Sequence, residues 1–350
     1  MENKTSNTNF FKKFTNKIGS MTETNLLLTI TITVFVLMYL GAMLFLQGGF
    51  LTPQNFFQML NENATLIVLA CGLSVVMITG GIDISVGGVT GLVTMCSAVY
   101  LGEDSSKSMW VVLLIALGIG LAFGVVQGLL VAYLDIQPFI VTLAGMFFAK
   151  GMTTIVSTKP TDIKHEGLMA LKDTKIVVPG MSYVNSHDIR LDSYVEIGVL
   201  IALFVVLVLF VVLRWTKLGR SFYAVGGNSQ SALMLGINVK RTKFLSHVLC
   251  GLLAGLGGFL FLLHAGSGSP SNGGGYEMNA IASSIIGGTM LTGGVGNIIG
   301  TLFGVTSLST IKTIVASAGL QDGWWTGITV GFMLCLFLVI QSIVVGRKKK

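Results

Sequence analysis

The stretch MWVVLLIALGIGLAFGVVQGLLVAYL, residues 109–134, carries no charged side chain. About 20 apolar residues in a helix cross the hydrocarbon core of a bilayer, so this stretch is long enough to span one. Residues 26–46 and 324–345 are uncharged over a comparable length. None of these runs alternates polar and apolar residues as a barrel strand does. Since only helices and closed barrels satisfy their backbone groups in lipid, the sequence predicts an all-α membrane protein.

The composition also indicates a surface that faces lipid. Apolar residues make up 52% of the chain and charged residues 11%, whereas a soluble domain carries about 25% charged residues. A soluble chain of 350 residues needs a charged surface, which this sequence cannot supply. We therefore expect a lipid bilayer around it, and we do not interpret its net charge of +7 as a nucleic-acid-binding surface.

Ten apolar segments predict about ten transmembrane helices in a single domain. Residues 1–25 form a polar tail, the membrane domain covers 26–346, and residues 347–350 form a basic tail. The first apolar run is longer than the core of a cleaved secretory signal, so we interpret it as a retained span. The predicted spans are 26–46, 60–79, 84–101, 109–134, 139–158, 196–213, 244–263, 278–291, 295–317 and 324–345.

The distribution of lysine and arginine predicts the orientation. If both termini are cytoplasmic, fourteen of these residues lie inside, in the two tails and the loop 214–243, and six lie outside. Basic residues favour the cytoplasmic side of a membrane. We therefore predict cytoplasmic termini, a cytoplasmic loop at 214–243 and an outer loop at 159–195.

Paired glycines interrupt two apolar stretches, GGIDISVGGVTG at 80–91 and IIGGTMLTGGVGNIIG at 285–300. They fall in spans 2–3 and 8–9, which correspond if spans 2–5 and 7–10 are two inverted halves. Interrupted helices at corresponding places in two halves are typical of a transport site. We therefore predict a path for a solute lined by these glycine-interrupted segments.

The polar residues near this path have more than one interpretation. A carboxylate at membrane depth is usually functional, but Asp83 can also cap the helix that begins near Ile84, and we favour the cap. Lys150, within the fifth span, is expected to face the bundle interior or a water-filled path. The predicted path residues are Asn63, Asp83, Ser85, Gly88, Thr289, Thr292, Gly293 and Asn297.

Motifs of catalysis and of cofactor binding are absent from the sequence. No Gly-Lys dipeptide occurs, so there is no phosphate-binding loop of the GxxxxGK[ST] type. Neither H-E-x-x-H nor G-x-S-x-G is present, so a hydrolase has no nucleophile or zinc motif. The four cysteines lie in apolar runs, where thiols behave as small apolar side chains. We expect no enzymatic activity, no metal site and no cofactor bound by this chain.

The loop 214–243 contains the sequence of a short capped helix, NSQSALMLG from Asn228 to Gly236. Asn228 can accept hydrogen bonds from the first free N–H groups, and Gly236 can end the helix in the left-handed conformation. A helix held at both ends indicates a docking element rather than a solvated basic loop. The residues assigned to docking are Asn228, Ser229, Ala232, Leu235 and Gly236.

Three motifs resemble the permease subunits of ribose-, xylose- and galactose-type bacterial ABC sugar importers. They are GGIDISVGG at 80–88, LGRSFYAVGGNSQSALMLGINVKRTKF at 218–244 with GLLAGLGG after it, and GYEMNAIASSIIGGTMLTGGVGNIIGTLFG at 275–304. The motifs stand in the family's order, and the resemblance covers nearly the whole chain. Trp324-Trp325 and the tail after them look most like galactofuranose-type permeases, whereas Asn279 and His264 depart from the family's common residues.

The resemblance implies a set of partners in the bacterial cytoplasmic membrane. The permease pairs with a second permease, identical or different, and with cytoplasmic ABC ATPase subunits that bind ATP and Mg. An extracytoplasmic sugar-binding protein delivers the solute, a pentose or a hexose, with galactofuranose among the candidates. The region 228–236 corresponds to the coupling helix that sits in a groove of the ATPase.

Other classes of function remain open. ABC permeases for branched-chain amino acids or nucleosides share the architecture. A self-sufficient secondary transporter is the more distant alternative, because coupled carriers usually hold acidic or polar residues within their spans. Apart from Asp83, the acidic residues of this chain lie at span ends or in loops.

Overall fold

The computed structural model describes residues 22–45, 50, 52–102, 104, 106–184, 190–320 and 322–348. The described part has thirteen α-helices and four short strands, and eight of its helices are long and apolar enough to cross a membrane. The prediction of an all-α membrane protein is therefore confirmed. Most of the tail predicted at 1–25, and the last two residues of the chain, lie outside the described residues.

The elements follow one another with few long connections. In chain order they are α1 (Glu23–Phe45), α2 (Pro53–Ile78), α3 (Val86–Leu101), α4 (Met109–Ala132), α5 (Pro138–Val156), β1 (Thr161–Asp162), α6 (Glu166–Lys172), β2 (Lys175–Val184), β3 (Arg190–Glu196), α7 (Ile197–Trp215), α8 (Lys217–Gly227), α9 (Ser229–Met234), α10 (Val239–Ala265), β4 (Ser267–Gly268), α11 (Tyr276–Ile286), α12 (Ile298–Ser317) and α13 (Gly323–Lys348).

The bundle has two distinct ends. We call the end that carries α8 and α9 the helical end, and the end that carries the four strands the strand end. The start of α1 lies at the helical end, since Thr24 and Asn25 line one groove together with Arg214 and Arg220. Helix α13 runs toward the same end, where Gln341 bonds the carbonyl of Ile285. The start of α1 and the last turns of α13 thus lie on the same side as the loop 214–243, which joins α7 to α10; the side of the membrane on which they lie stays a prediction.

Helices α2 and α10 form the centre of the bundle. Every residue from Ala64 to Thr79 is buried, so α2 is surrounded by other helices rather than by lipid. Helix α10 packs closely on α4, because Gly120 of α4 lies directly against Gly251 and Gly255 of α10. Small residues allow the two backbones to approach closely. Helices in lipid gain no hydrophobic energy from associating, so the van der Waals contacts of this close packing stabilise the pair.

Both halves of the chain repeat the same order of helices. A long central helix (α2, α10) is followed by a short helix (α3, α11) and then by two spans. Equivalent helices are five segments apart, so they run in opposite directions, as predicted for inverted halves. The predicted eighth span, 278–291, is instead an 11-residue helix about 16 Å long, which crosses only half of a bilayer.

The two glycine stretches are not equivalent within this repeat, which corrects the prediction. Residues 79–85 follow the central helix α2, so the equivalent loop in the second half is 266–275, which follows the central helix α10. Residues 287–297 follow the short helix α11 and therefore occupy a different place in the repeat. Inverted halves place equivalent loops at opposite ends, yet the two glycine stretches lie side by side at the helical end. The N–H of Gly294 donates to the carbonyl of Ile78 at 2.9 Å.

The strand end is tied to the bundle by polar side chains of α2. The N–H of Tyr194 on β3 donates to Oε1 of Gln54 at 2.8 Å, and the N–H of Glu196 donates to Oδ1 of Asn61 at 3.0 Å. Strands β2 and β3 form an antiparallel hairpin, and β1 pairs with β4. These bonds hold the region predicted as the outer loop against the central helix.

Candidate functional site

Side-chain caps join the three helices α8, α9 and α10 at the helical end. The Thr216 hydroxyl accepts from a first-turn N–H of α8 at 3.1 Å, and Oδ1 of Asn228 accepts from a first-turn N–H of α9 at 2.8 Å. Asn238 caps α10 in the same way at 2.9 Å. Gly236 has φ +80° directly after α9. The predicted cap at Asn228 and the predicted helix end at Gly236 are both confirmed.

Helix α9 carries a small buried side chain on one side and apolar side chains on the other. Ala232 is buried, while Leu233, Met234 and Leu235 are 64%, 87% and 80% exposed. Of the predicted docking residues, Ser229 and Leu235 are thus accessible and Ala232 holds the helix in place. Leu233 and Met234 were not predicted. An exposed apolar patch outside the membrane spans is typical of a surface that contacts another protein or the membrane.

Backbone meets backbone where α8 reaches the two glycine stretches. A Cβ on Gly226 would collide with the carbonyl oxygen of Ile78 and would lie 2.5 Å from the nitrogen of Gly294. A Cβ on Gly293 would lie 2.8 Å from the carbonyl oxygen of Gly226 and 2.9 Å from Cα of Gly80. We call Ile78, Gly80, Gly226, Gly293 and Gly294 the glycine seam. Only glycine permits so close an approach of three chain segments.

Tyr223 joins α8 to the second glycine stretch at another point. Its hydroxyl donates to the carbonyl of Gly296 at 2.9 Å, and burial raises the pKa of this phenol to about 12. The phenol therefore stays protonated and can donate at any physiological pH. Together with the glycine seam, this bond connects α8 and α9 directly to both interrupted segments.

Asp83 lies buried in the loop between α2 and α3. Its Oδ1 accepts from the N–H of Ser85 at 2.9 Å and from the Ser85 hydroxyl at 2.7 Å. Its Oδ2 lies 3.9 Å from Nδ1 of His247 on α10, and the Ser85 hydroxyl lies 3.2 Å from Oε1 of Gln127 on α4. The carboxylate thus fixes the turn before α3 through Ser85. It is not the predicted cap, because α3 begins at Val86 and its N-cap residue is Ser85.

A cavity of about 480 Å³ opens at the helical end beside this cluster. It lies between the turn after α2, the end of α8, the start of α9 and α10. Its lining includes Gly80, Gly226, Asn228, Lys243 and His247. The volume falls in the range of small-molecule sites, about 300–1,000 Å³.

The other predicted residues of the second glycine stretch have separate surroundings. Thr289 is fully buried, and its hydroxyl has no hydrogen-bond partner among the described residues. Thr292 is exposed at the helical end. Asn297 caps α12, because its Oδ1 accepts from the N–H of Ile299 at 2.9 Å. Gly293 belongs to the glycine seam, so it contributes close packing and not an open wall.

Two predicted path residues do not join this cluster. Asn63 donates to the Ser309 hydroxyl at 2.9 Å and so links α2 to α12. It stands fifteen residues before the end of α2, about 22 Å away along the helix. A Cβ on Gly88 would lie 2.9 Å from the carbonyl oxygen of Met146. Gly88 therefore packs α3 against α5, and the sequence could not show this because the partner helix lies 58 positions further along the chain.

The fold and the site together define a class of protein. Inverted halves of crossing helices, interrupted by glycine-rich loops that contact a short helix (α8) beside the exposed helix α9, are the architecture of the membrane subunit of a transporter. The chain belongs to the family described as the permease component of the branched-chain amino acid transport system, whose model matches residues 55–338.

The similar curated proteins are permeases of ABC transporters. The inner membrane ABC transporter permease protein YjfF of Escherichia coli K12 is 37% identical over 92% of this chain and 93% of its own length. The fructose import permease protein FruG of Bifidobacterium longum is 32% identical over 91% of this chain and 92% of its own length. The ribose import permease protein RbsC of E. coli K12 is 32% identical over 87% of this chain and 89% of its own length. No solved structure matches this chain. The chain is thus a multi-pass permease related to sugar ABC importers.

Proposed function

We propose that this chain is one of two permease subunits of an ATP-driven importer that carries a small neutral sugar, a pentose or a hexose, into a bacterial cell. An extracytoplasmic binding protein delivers the sugar to the strand end, and the cytoplasm lies at the helical end. Galactofuranose is the specific candidate that the C-terminal sequence suggests. The relatives that import ribose and fructose support the sugar class.

The observation that carries the proposal is the exposed apolar patch on α9, together with the contacts that the preceding helix α8 makes with both interrupted segments. In this proposal Leu233, Met234 and Leu235 insert into a groove of a partner ATPase, which holds the ATP and Mg. The caps at Asn228 and Gly236 keep the helix rigid, so that a movement of the ATPase reaches the glycine seam without being absorbed by bending.

In the same proposal the solute passes between two permeases. Asp83 and Ser85 hold the turn that begins α3, and Thr292 lies where the sugar leaves at the helical end. Gly88 and Gly293 set the helix packing that shapes the path. A neutral sugar needs hydrogen-bond partners along this path rather than a counter-charge.

Orientation can be tested by labelling cysteines in intact cells. In a chain whose exposed native Cys335 is replaced by serine, Thr174→Cys at the strand end is expected to react with a membrane-impermeant maleimide. Ser229→Cys at the helical end is expected to react only after the cells are opened. The reverse pattern would overturn the orientation and, with it, the site of ATPase docking.

Docking can be tested with a pair of substitutions that add the same charge to α9. Met234→Glu replaces the most exposed apolar residue, and Gln230→Glu alters an exposed polar residue four positions earlier. We expect Met234→Glu to lower co-purification of the ATPase and sugar uptake more than about tenfold, because a desolvated charge costs several kcal/mol in an apolar groove, and Gln230→Glu to retain both. Sugar uptake by the reconstituted chain without any ATPase would support the secondary transporter instead.

A further inference from the structure

A polar segment runs deep into the membrane between α10 and α11. Residues 266–275, here the re-entrant segment, lie along α3 in the opposite direction. The close contacts between the segment and α3 follow from the atoms that an added Cβ would touch. A Cβ on Gly268 would touch Ala98 of α3, and Cβ atoms on Gly91 and Gly87 of α3 would touch the carbonyl oxygens of Asn272 and Gly273. Since Gly87 is the second residue of α3, the segment descends over nearly the whole length of that helix.

An ion pair marks the depth at which the segment turns into α11. Nζ of Lys150 on α5 lies 3.6 Å from Oε1 of Glu277, the second residue of α11. Lys150 stands twelve residues after the start of the 19-residue helix α5, about 18 Å along its axis. The hydrocarbon core is about 30 Å thick, so the pair lies near its middle. Charged residues at this depth are usually functional.

The two charges differ in their surroundings. The Glu277 side chain is 9% exposed, and its Oε2 is buried with no hydrogen-bond partner among the described residues. The Lys150 side chain is 40% exposed, so one side of the pair opens to the outside of the chain. A buried charge is stable only when its hydrogen bonds are satisfied. The unpaired Oε2 lies against Gly87 of α3, and Oε1 is the oxygen that lies beside Lys150.

The surface around the pair is polar although it lies at membrane depth. Ser271, Gly274 and Gly275 are exposed. The N–H of Tyr276 donates to the carbonyl of Gly273 at 3.3 Å, whereas the next N–H groups of α11 have no intrahelical acceptor. Irregular backbone at this depth is tolerated only where it is buried in protein or lines a water-filled cavity. Because the described part of the chain does not cover this segment, a second subunit covers it or it lines a water-filled path.

We propose that Lys150, Glu277 and the exposed polar groups of residues 271–275 form the midway contact for the solute. This inference rests on the function proposed above and moves the middle of the path from the glycine seam to the face of α5 and α11. A sugar hydroxyl can donate to the Glu277 carboxylate while another accepts from the Lys150 ammonium. The pair has no net charge, so it suits a neutral polyol, whereas a free anion or cation meets a like charge. The start of a half-helix at this depth is a feature of transporter sites.

The first experiment asks whether the segment meets water, and it does not depend on the sugar. In the whole importer, with Cys96 and Cys335 replaced by serine, Ser271→Cys is treated with a trimethylammonium methanethiosulfonate reagent. Phe148→Cys is the control, because Phe148 lies two residues before Lys150 and is exposed beside an apolar groove. We expect Ser271→Cys to react and Phe148→Cys to stay unmodified, since thiolates form only in water. Failure of Ser271→Cys to react would overturn the proposal.

The second experiment measures uptake of radiolabelled D-ribose, D-fructose and D-galactose, and of galactofuranose, by the importer in cells. Lys150→Met and Glu277→Gln are each expected to lower the maximal rate roughly tenfold or more, as loss of a hydrogen bond to a charged group does, with unchanged amounts of protein in the membrane. Lys150→Arg keeps the donor and is expected to stay within about threefold of the unmodified chain. Lys312→Met, the same change in another span, is the matched control.

The outcomes separate this inference from the proposed function. Uptake within twofold of the unmodified chain in both Lys150→Met and Glu277→Gln would overturn the midway contact and leave the sugar importer in place. Lack of uptake of all three sugars and of galactofuranose by the unmodified importer, with Ser271→Cys still reactive, would overturn the sugar assignment and leave the polar path. Uptake of L-leucine that the two substitutions abolish would replace the neutral sugar by a zwitterion.

Discussion

The glycine seam and the re-entrant segment are both built from glycine, but they use it for opposite purposes. In the seam, a Cβ on Gly226 or Gly293 would collide with backbone atoms of another segment. In the re-entrant segment, Gly268 and Gly273 pack closely on α3, but Gly275 has nothing within 4 Å of its Cβ position and Gly274 has only one nearby carbonyl oxygen. Glycine thus brings three segments of the chain into contact at the helical end, and near the middle of the membrane it leaves the backbone groups without covering side chains.

The difference matters for the way a transporter works. Segments in direct backbone contact have no flexible side chains between them, so a displacement of α8 reaches the turn after α2 with little loss. The re-entrant segment has such a neighbour, α3, on one side only, and its exposed side at Ser271, Gly274 and Gly275 can exchange water for solute. The two regions are linked by α11, whose first turn carries Glu277 and whose last turn leads into the loop of the seam.

The largest expected effect comes from adding one carbon to the seam. Gly226→Ala places its Cβ against the backbone of Ile78 and Gly294, which no side-chain rotation can relieve. We expect a loss of stability at the upper end of about 1–3 kcal/mol and loss of uptake. The measurement is the fraction of folded protein that survives heating in detergent, read by size-exclusion chromatography. Gly227→Ala is the control, since its Cβ meets nothing within 4 Å; equal effects of the two changes would contradict close contact at the seam.

Sequence reasoning predicted the spans and the caps well because both depend on local patterns. Charge-free runs require helices, and Asn228 and Gly236 have the side chain and the backbone freedom that helix ends need. The glycine seam could not be predicted. The Gly226-Gly227 pair indicates that another segment can approach the backbone there, but the sequence does not indicate that this segment is the end of α2 at Ile78. The role of Asn297 as the cap of α12 was hidden for a related reason: a polar residue in a glycine-rich stretch fits a path and a cap equally well.

The re-entrant segment was missed because composition does not report depth. The sequence GSGSPSNGGG, residues 266–275, has the composition of an exposed loop between two spans. Its position near the middle of the bilayer follows only from its contacts with Gly87 and Gly91 of α3. Lys150 was expected to face the bundle interior or a water-filled path, but its partner Glu277 could not be named without the fold.

A second prediction concerns the end of α11 that joins the two regions. The Thr31 hydroxyl donates to the carbonyl of Ile286 at 2.7 Å, and Nε2 of Gln341 donates to that of Ile285 at 2.8 Å. Thr31→Val leaves a buried carbonyl without its partner, at a cost of about 1–3 kcal/mol. Thr33→Val is the control, because the exposed Thr33 hydroxyl bonds only within its own helix. A thermal midpoint unchanged by Thr31→Val would show that the Thr31 hydrogen bond does not stabilise the end of α11.

A smaller effect is expected where the re-entrant segment begins. Nδ1 of His264, near the end of α10, lies 2.9 Å from Oε2 of Glu196 on β3, and both side chains are partly exposed. Partly exposed ion pairs contribute about 0–1 kcal/mol. A double-mutant cycle of His264→Ala and Glu196→Ala should therefore give a coupling energy below about 1 kcal/mol. A larger coupling would mean that the strand end clamps the segment, which would weaken the contrast with the seam.

The smallest effect on stability is expected for Ser271→Ala within the open segment. The Ser271 hydroxyl bonds only the Ser269 hydroxyl, at 2.9 Å, and is exposed. Removing it leaves no cavity and no buried polar group, so the free energy of unfolding should change by less than about 0.5 kcal/mol. Ser284→Ala on α11 is the matched change, because that hydroxyl is buried and donates to the carbonyl of Ala280 at 2.8 Å. Heating in detergent measures the loss of stability in each variant. If Ser271→Ala lowers stability as much as Ser284→Ala, the exposed side of the re-entrant segment is packed as closely as the glycine seam, and the contrast between the two regions fails.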